Sequence, residues 1–237
     1  MATVISERYL KVKSLIDDAS KRSERSKDRL TLVGVTKTLP AEMVVDGFKA
    51  GLRHVGENRL EGALEKKQEV ERSLGKELAD KLTWHFIGHI QSRKARKILE
   101  LFDYIQSIDS LKLLKKVDTI SAELGKKTKA LLQINISGAE SQGGIPLDEM
   151  GNAIREAEAL ENVQVEGLMA IGPNTRDQQV IRKAYKDFYS QVEKYKSQHD
   201  VELSELSMGM SGDYEIAIEE GATIVRVGTA IFGPRKL

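Results

Sequence analysis

The sequence predicts a single (β/α)8 barrel of the TIM type, and three observations predict it. Short β-rich apolar runs alternate with longer helical patterns through eight units from Leu30 onward. The 237 residues suit one such barrel, and no long Pro- or Gly-rich linker divides them. Glycines and polar residues collect at the C-terminal ends of the strand-like runs, the face on which barrels of this kind carry their sites. An open doubly wound sheet is the competing arrangement, because counting elements does not prove closure.

The elements follow in order. A segment from about Val4 to Lys27, dense in both signs of charge, reads as an extra helix that covers the barrel floor. Residues 1–29 are therefore taken as a helical extension and residues 30–237 as the barrel. The first strand, Leu32–Lys37, ends the apolar run that begins at Leu30, and the helical pattern Ala41–Ala50 follows it. Strand His54–Asn58 precedes helix Leu60–Leu82, and Trp84–His89 precedes Gln91–Leu101. Tyr104–Ser107 leads to Ser110–Leu124, and Ala130–Ser137 leads to Leu147–Leu160. Val165–Ile171 is followed by Asp177–His199, Glu205–Met210 by Asp213–Glu220, and Ile224–Gly228 closes the series. Strands separated by helices pair in parallel, because a right-handed crossover brings each next strand beside the last.

Composition removes several function classes. With 37 basic residues against 36 acidic ones and 5% aromatics, basic clusters such as 93–97 read as solvated helix faces, not a nucleic-acid surface. No cysteine is present, which excludes disulfides, thiolate catalysis and cysteine-bound zinc. His85 and His89 have i,i+4 spacing, but they fall in a strand-like run without an HExxH pattern, so no metal site is expected. The charged N-terminus lacks a signal-peptide core and no apolar stretch is of spanning length, so the expectation is a cytoplasmic protein that does not enter membranes.

Lys37 is the first candidate site residue. A lysine at the end of a buried strand loses hydration, which favours the free amine and its attack on an aldehyde. A strand-end lysine turned into solvent is the bland alternative. Barrels frequently bind phosphate through the loops after strands seven and eight. Here those loops contain Ser211-Gly212-Asp213 and Gly228-Thr229, which combine close backbone approach with hydroxyl donors. Closure sets the first strand beside the eighth, so a phosphate-bearing aldehyde spans from Lys37 to Ser211 and Thr229. Arg226 is a candidate contact for the same ligand, because an arginine inside a barrel strand is costly unless partnered. An outward Arg226 snorkelling among the helices has equal standing on parity alone.

Six segments in register resemble the pyridoxal phosphate homeostasis protein family. They are Val35 to Thr38, Val55 to Asn58, Trp84 to Lys94, Gly167 to Ile171, Leu206 to Ser211 and Val225 to Gly233. The resemblance runs from about Leu30 to the C-terminus. It implies a barrel like the N-terminal domain of alanine racemase that carries pyridoxal 5′-phosphate as a Schiff base. By motif, Lys37 would bear the cofactor, Asn58 would line its pocket and Arg226 would approach the pyridine nitrogen. Ser211, Gly228 and Thr229 would hold the phosphate. Two positions depart from the commonest pattern: Gln142 stands where many members carry lysine, and Gly212 where an acidic or small residue is frequent.

The remaining choice lies between an amino-acid racemase and a carrier. A racemase of this class resembles a longer chain whose added β domain supplies a tyrosine opposite the lysine. Here nine residues follow Gly228, and among the six tyrosines only Tyr214, after the phosphate loop, is a candidate base. A permanent cation at the pyridine nitrogen discourages ring protonation and weakens the electron sink. The expectation is a non-catalytic vitamin B6 carrier, monomeric, that delivers the cofactor to PLP-dependent apoenzymes. A racemase and a phosphosugar-binding barrel are the alternatives.

Overall fold

Nine parallel strands form the sheet in the computed structural model, which describes residues 3–23, 30–139 and 142–234. They are β1 (Thr31–Val35), β2 (His54–Glu57), β3 (Thr83–Phe86), β4 (Tyr104–Ile108), β5 (Thr128–Asn135), β6 (Ile145–Pro146), β7 (Val163–Ala170), β8 (Glu205–Met210) and β9 (Ile224–Val227). Their order is β4-β3-β2-β1-β9-β8-β7-β5, and pairing of β4 with β5 closes the barrel at eight strands. Two-residue β6 pairs with the end of β5 outside that ring. Closure decides against the open doubly wound sheet.

The helices are α1 (Val4–Arg22), α2 (Ala41–Lys49), α3 (Ala63–Leu74), α4 (Lys76–Ala79), α5 (Ala95–Leu101), α6 (Leu111–Glu123), α7 (Met150–Glu158), α8 (Gln178–His199), α9 (Tyr214–Glu219) and α10 (Thr229–Phe232). Several start where a side chain satisfies free N–H groups of the first turn: Ser110 accepts from Leu113 N–H, and Asp177 from Gln179 and Val180 N–H. The single helix expected over Leu60–Leu82 is two, because Gly75 takes φ +79°, a backbone region that ends a right-handed helix.

Helix α1 does not lie across the floor as the sequence reading expects. It packs against α2, α9 and α10 through Ile5, Tyr9, Val12, Ile16 and Ala19. Helix α10 has only four residues, so the ring of helices is one short, and α1 fills that eighth place. Positions 24–27 of the expected helix lie outside the described residues. No described helix is long and apolar enough to cross a membrane.

Two apolar populations result from strand parity. Alternate residues such as Leu32, Val55, Trp84, Ile105 and Val225 face the helices in the main core. The opposite set, Val33, Tyr104, Leu131, Met169 and Ile224, meets inside the barrel. Arg226 shares the parity of Ile224, so its side chain is interior and 5% exposed.

If α1 completes the ring, truncating Ile16, 2% exposed, costs about 2–5 kcal/mol in a urea titration. A change within about 0.5 kcal/mol, typical of a surface site, would instead describe a detached extension.

Candidate functional site

Lys37, Asn58, Ser211, Arg226, Gly228 and Thr229 line one cavity of about 330 Å³ at the C-terminal end of the strands. All six candidate residues from the sequence thus come together. Val35, Ile87, Met169 and Ile171 give it apolar walls, and Gly88 and Met210 complete the lining.

The chain reaches this arrangement through β1 and β9. Val33 lies opposite Arg226 and Gly34 opposite Val227, so the residues that follow each strand emerge side by side. Gly228 rests on β1: a β-carbon there would stand 3.3 Å from the Val35 carbonyl oxygen. Lys37 occupies a turn in which Leu39 N–H donates to Thr36 O at 3.0 Å, and Thr38 adopts φ +64°, a strained conformation for a β-branched residue. The loops after β8 and β9 are joined directly, since Gly228 N–H donates to Ser211 Oγ at 3.0 Å.

Beneath that turn lies a charge pair not singled out in the sequence. Lys66 Nζ donates to Glu57 Oε1 at 2.6 Å and to Thr36 O at 2.8 Å, while Thr36 Oγ1 donates to the same carboxylate oxygen at 2.7 Å. Two of these bonds hold Thr36, the residue preceding Lys37, and the third ties its two partners to each other. Glu57 is buried and Lys66 nearly so, and breaking such a pair strands an uncompensated charge.

Arg226 differs. Its Nη1 donates to Ser207 Oγ at 2.6 Å and its Nη2 to Ala170 O at 2.8 Å, yet no carboxylate lies within ion-pair distance among the described residues. Burial lowers its pKa, while Tyr185 and Asp213 act in the opposite sense. The Asp213 carboxylate is engaged elsewhere: it accepts from Tyr185 Oη at 2.9 Å and from Met210 N–H at 2.6 Å. An unpaired cation beside an apolar cavity favours an anionic or acceptor-bearing ligand. Asn58 Oδ1 is also buried without a hydrogen-bond partner.

Other candidates fall elsewhere. Tyr214 is 5% exposed in α9 and does not line the cavity. His85 bonds to His54 and Gln106, whereas His89 bonds to Asp109 at 2.9 Å, so the two histidines serve different places. No cluster of three or more metal-ligating side chains occurs among the described residues. Gln142 ties its loop to the end of β7, donating to Gly172 O at 3.2 Å and accepting from Ser137 Oγ at 2.8 Å. Its neighbours Glu140 and Ser141 lie outside the described residues.

Sequence reasoning missed Glu57 with Lys66, and the interior polar residues Ser207, Gln106, His85 and His54. Parity was the available signal: on β8, β4, β3 and β2 these positions alternate with residues that face the helices, such as Leu206, Ile105, Trp84 and Val55.

A parallel barrel with an amine on β1 and a glycine-hydroxyl loop after β9 defines the class of alanine racemase N-terminal domains, and that family's model matches residues 15–236. The chain is 16% identical to alanine racemase from Clostridium difficile with a TM-score of 0.70, covering 98% of this chain and 57% of that one, a likeness of fold alone. It is 34% identical over 230 residues to a pyridoxal phosphate homeostasis protein from Aquifex aeolicus, covering 97% of this chain and 98% of the relative. PipY of Synechococcus elongatus, a structure with PLP bound, is 34% identical with a TM-score of 0.82, covering 97% of this chain and 100% of that one. The chain belongs to the pyridoxal phosphate homeostasis protein family.

Two expectations follow. Glu57→Gln leaves Lys66 without its carboxylate and lowers the unfolding free energy by about 3–5 kcal/mol, read from urea denaturation. Burial, and next the neighbouring His54, lowers the His85 imidazole from 6.5 to about 3. Between those values the unfolded chain binds the extra proton, so stability is complete above pH 6.5 and declines as pH falls toward 3. The slope from this group approaches about 1.4 kcal/mol per pH unit, and His85→Gln flattens it in denaturation curves taken across that range.

Proposed function

We propose that this protein binds pyridoxal 5′-phosphate through Lys37 and holds it for delivery or buffering, without turning over a substrate. One observation carries the reading: a single cavity joins an amine, a glycine-hydroxyl loop pair and a buried guanidinium that has no carboxylate partner among the described residues. When bound, the cofactor supplies an aldehyde whose carbon joins a primary amine as a Schiff base with loss of water.

The residues fit this group. Lys37 provides the nitrogen, and the Glu57–Lys66 pair holds the backbone from which it extends. Ser211 and Thr229 bring hydroxyl donors for a phosphate dianion, and Gly228, whose N–H is engaged by Ser211 Oγ, allows close approach, with no bulky side chain among them. Arg226 offers only donors, which suits a ring nitrogen that stays unprotonated. Val35, Ile87, Met169 and Ile171 provide an apolar enclosure for an aromatic ring and exclude water from the amine.

The carrier assignment draws support from what faces Lys37. Among the described residues lining the cavity, the ionisable side chains are Lys37 and Arg226, and a guanidinium does not exchange protons near neutrality. Moving a proton between two faces of an α-carbon requires a second acid or base, and the lining offers none. Tyr185 donates its hydroxyl to the Asp213 carboxylate, and burial pushes that hydroxyl well above the ordinary tyrosine value. In this reading the protein is a cytoplasmic monomer, and the recipients of its cofactor are PLP-dependent apoenzymes.

Incubation with pyridoxal 5′-phosphate is expected to give the wild type a visible absorption band that Lys37→Ala lacks, with both proteins equally stable to urea. A wild type that stays colourless contradicts the reading. Deuterium exchange at the α-carbon of alanine and serine stays at the level of free cofactor; enzyme-like exchange rates would establish a racemase instead.

A further inference from the structure

Behind Arg226 the barrel interior contains an unbroken file of polar side chains. Arg226 Nη1 meets Ser207 Oγ at 2.6 Å, and Ser207 Oγ meets Gln106 Oε1 at 2.7 Å. Gln106 Nε2 then meets His85 Nδ1 at 2.9 Å, and His85 Nε2 meets His54 Nδ1 at 3.0 Å. Ser207, Gln106 and His85 are buried, and His54 begins β2 at the opposite end of the barrel from the cavity.

Chemistry sets the direction of every bond in this file. A guanidinium only donates, so Ser207 Oγ accepts, and its one hydrogen is left for Gln106 Oε1. An amide nitrogen only donates, so His85 Nδ1 carries no hydrogen. A neutral imidazole has one N–H, which His85 then bears on Nε2 and donates to His54 Nδ1. Burial lowers the pKa of both rings, in keeping with neutral imidazoles. A proton added to either ring must occupy an Nδ1 already in use as an acceptor.

The consequence reaches the cavity. Two of the five guanidinium N–H groups are spent on Ser207 and Ala170, and the remaining ones have no partner among the described residues. What meets Arg226 from the cavity must accept, and the file behind it has no vacant site from which to release a proton.

We infer that Ser207, Gln106 and His85 are positioning residues: they fix the Arg226 guanidinium so that the cavity selects an aromatic ligand with an unprotonated ring nitrogen. The inference rests on the cofactor reading above and identifies what within that site discriminates between ligands.

The test compares pyridoxal 5′-phosphate with its deaza analogue, in which C–H replaces the ring nitrogen while aldehyde and phosphate are kept. Wild type is expected to bind the cofactor about tenfold more tightly than the analogue, the ratio equivalent to about 1.4 kcal/mol. Gln106→Met frees Ser207 and loosens Arg226, so the preference collapses toward unity while analogue affinity is retained. A loss of general fold would weaken both ligands alike, so only the ratio reports positioning. An unchanged ratio in Gln106→Met overturns the inference and leaves the cofactor reading intact. A wild type that binds neither ligand overturns the cofactor reading itself. Nitrogen-15 shifts of the ligand-free wild type provide a check independent of any variant: His85 Nδ1 and His54 Nδ1 are expected unprotonated, and a hydrogen on His85 Nδ1 reverses the file and refutes it.

Discussion

The pairing of β1 with β9 is the constraint on which the site depends. The two strands stand far apart in sequence, and only their parallel ladder brings the turn containing Lys37 beside Gly228 and Thr229. Gly228 lies close against the Val35 carbonyl oxygen, so the loop after β9 is seated on the strand that leads into the Lys37 turn. Outside the sheet, α1 packs against α2, α9 and α10 and occupies the place that a four-residue α10 leaves open.

Charges around the cavity are distributed unequally, and the inequality carries the chemistry. Glu57 and Lys66 neutralise each other beneath the Lys37 turn, which lets a buried pair serve as a structural brace. Arg226 has no such partner among the described residues and is held by a hydroxyl and a carbonyl oxygen, both neutral. In the proposed reading, a ligand acceptor meeting Arg226 compensates a charge that no described carboxylate pairs. The apolar walls strengthen that attraction by lowering the local dielectric.

The barrel is legible in the sequence because alternating periods of apolar residues survive without any knowledge of contacts. The positions of Lys37 and of the loops after β8 and β9 are legible for a related reason, since each sits where an apolar run stops. Features that depend on tertiary register are not. The direction of Arg226 needs the partition of Ile224 from Val225 and Val227 between interior and helix face. The file from Ser207 to His54 joins four strands, and parity within each strand places its members inside the barrel without showing that they meet. The role of α1 was misjudged because a missing eighth helix can be recognised only once α10 proves short. The Gly75 break was missed because helical spacing continues on both sides of it.

The most direct measurement is borohydride reduction of the protein loaded with pyridoxal 5′-phosphate, followed by proteolysis and mass mapping of the modified peptide. The account predicts one dominant adduct, on the peptide containing Lys37. A dominant adduct on any other lysine, with Lys37 unmodified, would contradict it.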